Sequence, residues 1–154
     1  MMNKTYFIIA FKEGLGILIL RKKMLDRWEL PKVSVSNEKP LNEIIEEFMH
    51  TNLRVSYRLI GQSSVVDSYE WPKELKNITG KEGEEHRFMF LEITGSINMD
   101  KLKSGEYSGY DLVDYELLVK KVVFKNHKTV LRKVIDELNS KRKIKDKVSE
   151  NSGR

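Results

Sequence analysis

The stretch Trp28-Glu-Leu-Pro-Lys32, the polar link Val33 to Lys39, and then Pro40-Leu-Asn-Glu-Ile-Ile-Glu-Glu-Phe-Met-His-Thr51 decide how this chain is read. Pro40 suits the first turn of a helix, where its missing N–H removes no hydrogen bond. Leu41, Ile44, Ile45 and Phe48 recur at i, i+3, i+4 and i+7, the spacing of one apolar helix face. Glu43, Glu46, Glu47 and His50 share the opposite face. The pattern predicts an amphipathic helix over Leu41 to Thr51 with an acidic outer side.

Upstream, Tyr6-Phe-Ile-Ile-Ala-Phe11 and Leu15-Gly-Ile-Leu-Ile-Leu20 are β-branched and aromatic runs around Lys-Glu-Gly, which predicts two strands joined by a hairpin. Downstream, strand-like segments fall at Arg54 to Leu59, Ser64 to Val66 and Arg87 to Thr94. Asp67 to Gly83 between them reads as a long surface connection. Ser104 to Gly109 is turn-rich and leads to a short segment around Asp111 to Asp114. Val130, Leu131, Val134, Ile135 and Leu138 make a last helical stripe, with Asn126 in reach as its N-cap. Strands first and last, with an internal and a C-terminal helix, predict an α+β or three-layer architecture around a mixed sheet.

Composition narrows the class. At 154 residues, 40% hydrophobic and 33% charged, the chain suits one ordinary globular domain. It contains no cysteine, which excludes disulfides, a thiolate nucleophile and sulfur-held zinc. The apolar runs are too short to cross a bilayer and no secretory leader pattern appears, so a cytoplasmic protein without a membrane partner is expected. Of the net charge of +5, residues Lys141 to Arg154 carry +4, six Lys or Arg against Asp146 and Glu150. We therefore divide the chain into a domain at 1–140 and a basic tail at 141–154, expected to be disordered and able to meet a phosphate backbone or ribonucleoprotein.

The spacing of Glu38, the seven residues Lys39 to Ile45, and then Glu46-Glu47-Phe48 resembles the box of the Nudix hydrolases. That box is a glycine, five residues, Glu, seven residues, Arg-Glu, an aliphatic residue, any residue, Glu-Glu, any residue, and Gly. Tyr69-Glu-Trp-Pro-Lys-Glu-Leu75, Gly83-Glu-Glu-His-Arg-Phe-Met-Phe90, Glu106-Tyr-Ser-Gly-Tyr110 and Val122-Val-Phe-Lys125 extend the likeness. They follow the branch of RNA pyrophosphohydrolases and dinucleoside tetraphosphate hydrolases. The resemblance implies a Nudix fold, a mixed sheet sandwiched between helices. It also implies water attack on a phosphoanhydride, with Mg²⁺ or Mn²⁺ held by carboxylates.

Residue by residue, the resemblance puts Glu47 at the Arg-Glu carboxylate and Glu106 at an acidic loop position near the reaction centre. Lys32 is implied as a phosphate contact, Tyr69 as a base-stacking aromatic, and Lys73, Arg87 and Lys125 as sources of positive potential. The chain also departs from the box. His50 and Thr51 stand at the Glu-Glu pair, Glu46 replaces the Arg, and Leu53 stands at the closing Gly. Sliding by one residue brings Asn52 to that Gly and restores no carboxylate. Val33 to Asn37 contains no glycine. Imidazole suits magnesium poorly, so any metal would rest on Glu43, Glu46, Glu47 and His50. His86 and His127 have no ligand spacing and read as surface residues.

Three functions stay open on these residues. One is a catalytically degenerate binder of a nucleotide, dinucleoside polyphosphate or RNA 5′ end. Another is an active hydrolase with a rearranged site of Glu43, Glu46, Glu47 and Glu106. The last is a non-enzymatic protein or RNA interaction module that uses the basic tail.

Overall fold

The computed structural model describes residues 2–36, 38–103, 105–122 and 128–152, with Lys103 and residues 143–152 described by their backbone alone. The two apolar runs form β1 (Asn3–Lys12) and β2 (Gly16–Lys22). Between them Gly14 and Gly16 take positive φ, and a Cβ on Gly16 would stand 2.6 Å from the Val113 carbonyl oxygen. Only glycine fits there.

The hairpin then opens. β1 and β2 pair only at Phe11 with Ile17 and Lys12 with Gly16, after which β1 runs along β4 (Lys32–Ser34). β2 instead pairs with β3 (Arg27–Glu29) on one side and β8 (Tyr107–Val113) on the other. On its far side β1 lies parallel to β7 (Gly83–Ile93), which is antiparallel to β5 (Tyr57–Gln62) and β6 (Asp67–Glu70). The sheet is mixed and forks between β1 and β2.

Strand alternation sorts the core into two layers. Tyr6, Ile8 and Ala10 of β1 face one way with Met89 and Leu91, and Ile45, Phe48, Met49, Leu53 and Leu102 cover them. The covering elements are α1 (Leu41–Glu47), the π-helical turn Phe48–Leu53 that continues it, and α3 (Met99–Lys103). Phe7, Ile9 and Phe11 face the other way with Phe88 and Phe90. They are covered by Leu118 of α4 (Tyr115–Lys121) and by Leu131, Val134, Ile135 and Leu138 of α5 (Lys128–Ser152). Each such side chain contributes roughly 1.5–3 kcal/mol by leaving water. Burial on both faces is why β1 reads as an unbroken apolar run. The architecture is the expected α/β/α sandwich.

The local differences have physical causes. Regular α-helix stops at Glu47, and the last turn widens to Leu53. It closes on Arg54 at φ 53, with the Arg54 and Val55 N–H groups donating to the Met49 carbonyl. That closure delays β5 to Tyr57, whereas a strand from Arg54 was expected. Ser63 and Ser64 are held by the Glu137 carboxylate, at 2.6 Å from the Ser63 hydroxyl and 2.9 Å from the Ser64 N–H, so that segment is a turn rather than a strand. The connection Asp67 to Gly83 is structured as β6 and α2 (Lys73–Thr79), and α3 and α4 were not foreseen. Asn126, His127 and Lys125 lie outside the described residues. α5 continues past residue 140. Within it, Arg142 reaches Glu13 at 2.7 Å and sits over the Phe11 ring at 4.7 Å.

Candidate functional site

Where β2 parts from β1, the gap is a cleft of about 200 Å³. Leu20 and Lys22 of β2 form one wall together with Glu106 and Tyr107 at the start of β8, which is tied to β2 by the Lys23 N–H donating to the Glu106 carbonyl at 2.9 Å. Glu29, Leu30, Pro31 and Lys32 form the opposite wall, anchored to β1 by the Ile8 N–H donating to the Pro31 carbonyl at 2.8 Å. Phe48 and Asn52 close it from the π-helical turn.

The charges in the cleft are not equivalent. Glu29 is only 8% exposed, and its carboxylate meets Arg27 Nε at 2.8 Å and Lys22 Nζ at 3.6 Å. Such pairing is what permits a buried carboxylate. The Glu106 carboxylate and the Lys32 ammonium have no ion pair among the described residues. Burial first, and then the charges of Glu106 and Glu29, push the Tyr107 hydroxyl up to about 12. Tyr107 is therefore a neutral donor at physiological pH. It is 8% exposed.

The acidic face lies elsewhere. Asn42, Glu43, Glu46, Glu47, His50 and Thr51 border an open groove of about 530 Å³ on the outer side of the helix. Glu47 is held by Lys39 Nζ at 3.0 Å. Glu46 accepts a hydrogen bond from the Tyr57 hydroxyl and lies 3.9 Å from His50 Nδ1. Burial, together with the hydrogen bond to Glu46 and its charge, pushes Tyr57 up to about 12.

Of the residues expected at a site, Lys32 and Glu106 come together in the cleft, and Glu43, Glu46, Glu47 and His50 share the outer groove. Tyr69, Lys73 and Arg87 line neither. Tyr69, in β6, donates to Glu84; burial first, and then that hydrogen bond and the Glu84 charge, raise its hydroxyl, and its ring stands 5.5 Å edge-on to His86. Lys73 opens α2, and Arg87 is bound to Glu85 at 2.7 Å. Alternation along β7 puts Arg87 on the opposite sheet face from His86. His86 is not a surface residue: it is 1% exposed, packed 5.1 Å edge-on against Phe7. Lys22, Glu29, Asn52 and Tyr107 were missed. The available signal was Glu29 itself, a carboxylate between the apolar residues Trp28 and Leu30 at the end of β3.

A Mg²⁺ or Mn²⁺ ion asks for about six oxygen ligands, chiefly carboxylates. On the cleft side the helix offers Phe48 and Asn52, Glu29 is already neutralised, and Glu106 remains. Among the described residues no three His, Asp or Glu side chains converge into a metal-holding group. The donor set does not fit such an ion. Nor is any helix among the described residues long and apolar enough to cross a membrane.

An α/β/α sandwich with a forked mixed sheet and a helix closing the fork defines the class, and solved structures narrow it. No family model and no curated protein matches the sequence. The fold matches the dihydroneopterin triphosphate pyrophosphohydrolase of E. coli with a TM-score of 0.63 at 12% identity, over 86% of this chain and 95% of that one. An Ap4A hydrolase of C. elegans in a binary complex matches with a TM-score of 0.64 at 13% identity, over 90% and 99%. The NUDIX domain of Shewanella oneidensis NrtR, complexed with ADP ribose, matches with a TM-score of 0.60 at 8% identity, over 90% and 89%. The chain has the Nudix fold, as the spacing around Glu47 implied.

Proposed function

We propose that this protein binds a phosphorylated nucleotide compound in the cleft between β2, β3 and the π-helical turn, with phosphoanhydride hydrolysis lost or impaired. The ligand class covers a nucleotide, a dinucleoside polyphosphate or an RNA 5′ end. One observation carries the reading: the helix presents Phe48 and Asn52 to the cleft, while Glu43, Glu46 and Glu47 border the outer groove. Lys32, at the rim without an ion pair among the described residues, suits a phosphate as a point charge. Fold neighbours that act on dihydroneopterin triphosphate and Ap4A, or hold ADP ribose, support the ligand class.

The chain's own groups account for binding without a metal step. Lys32 offsets phosphate charge, Tyr107 donates a hydrogen bond and Asn52 both donates and accepts. Nothing described on the cleft side of the helix activates a water. The test is incubation with Ap4A, GTP and 5′-triphosphorylated RNA in Mg²⁺ or Mn²⁺. The expected result is binding without turnover near the enzyme median of about 10 per second; turnover at that rate overturns the proposal.

A further inference from the structure

A strand at the end of a sheet offers a row of unused N–H and C=O groups, and proteins guard such edges with charge, brevity or cover. Three edges of this sheet are guarded. β3 is three residues long and its Trp28 is bridged to Val122, β6 carries Asp67 and Glu70, and β8 is packed by both α3 and α4. β5 has none of these protections. It ends the strand order β3-β2-β1-β7-β5 and, among the described residues, pairs with no strand on its outer side. Its six residues, Tyr57-Arg-Leu-Ile-Gly-Gln62, hold a single charge, Arg58, which Glu92 already neutralises at 2.8 Å. Leu59 stands in the middle, 46% exposed.

We infer that β5 is an interface for a second copy of this chain, the two β5 strands pairing antiparallel across a twofold axis normal to the sheet. The strand's own pattern selects both the partner and the register. Such an axis keeps each sheet face on its own side, so opposed residues must share a face. A centre at Arg58 would oppose two guanidinium groups, which is destabilising, and a centre at Ile60 meets the bulge between Leu59 and Gly61. A centre at Leu59 sets Leu59 against Leu59 and each Arg58 against Ile60, with no like charges opposed. Closed pairs of this kind are the commonest oligomers. Pairing over so few residues buries little area, so the dimer is weak and forms with rising concentration. The cleft lies toward the other end of the strand order, beside β3, so the dimer neither needs it nor blocks it.

Sedimentation velocity from micromolar to near-millimolar protein should show the mass rising toward twice the monomer's. Leu59→Lys opposes two ammonium groups and should weaken that association at least tenfold, while the exposed position leaves the urea midpoint nearly unmoved. Ile78→Lys, at an 82% exposed position of α2, should leave association unchanged. The cysteine-free sequence permits a second readout. Opposed residues of an antiparallel pair stand about 4.5–5.5 Å apart at Cα, inside the span of a disulfide. Oxidation with copper phenanthroline should therefore link Leu59→Cys into a covalent dimer at least tenfold faster than Leu25→Cys, a position that is 52% exposed. The inference is overturned by a protein monomeric at every concentration, by association that survives Leu59→Lys and is lost with Ile78→Lys, or by equal crosslinking from positions 25 and 59. None of these outcomes bears on the binding function.

Discussion

The two sides of one short helix differ in what they can do. The outer side carries Glu43, Glu46, Glu47 and His50 over an open groove, with Glu47 held by Lys39 and Glu46 by Tyr57 and His50. The cleft side carries Phe48 and Asn52, facing a polar recess in which Glu29 is paired with Arg27 and Lys22 while Glu106 and Lys32 have no ion pair among the described residues. The difference separates two readings of the same residues. Spacing within a motif puts Glu47 at a metal, whereas helical periodicity puts it on the solvent side. The structure follows periodicity, because Phe48, Met49 and Leu53 must be buried and that fixes the helix rotation.

The comparison breaks most readily at Phe48. Phe48→Ala removes a side chain that both packs the core and walls the cleft, and a large-to-small change of this kind costs about 3–5 kcal/mol. Urea denaturation should show that loss. A cost below about 1 kcal/mol would mean that the helix is rotated differently.

Tyr107 is the next largest effect. Its folded hydroxyl holds the proton up to about 12 against an ordinary 10. The resulting stability is fully present below pH 10 and is lost as pH rises through 12, by up to roughly 2–3 kcal/mol. Tyr107→Phe should remove this alkaline loss relative to the native protein. Tyr57 titrates in both proteins and cancels.

The smallest effect belongs to the outer side. Glu46→Gln with Glu47→Gln should change stability by less than about 0.5 kcal/mol, as for exposed ion pairs generally, and should leave nucleotide affinity unaltered by calorimetry. A tenfold loss of affinity would return these carboxylates to the site.

The layered fold was legible because burial writes itself as period. β1 and β2 are apolar throughout, and the α5 stripe at Val130 to Leu138 has one helical repeat. Elements held by hydrogen bonds at a distance in sequence were not legible. Ser64 to Val66 reads as a strand, but Glu137, more than 70 residues on, captures Ser64 and its neighbour Ser63. His86 sits in a charged stretch and reads as exposed, but β7 is central, so every second residue of it is covered. Half the candidate site was legible through Lys32 and Glu106. Glu29, Lys22 and Tyr107 were not, because the pairing of β2 with β3 on one side and with β8, more than 80 residues on, brings them together, and such pairing leaves no mark in composition.

The central claim is that the cleft recognises a nucleotide with its own side chains and without a divalent ion. Titrating GTP by calorimetry in excess Mg²⁺ and again in EDTA tests it most directly. The account expects dissociation constants that agree within about twofold; binding that appears only with Mg²⁺, or tightens more than tenfold on adding it, would contradict the account.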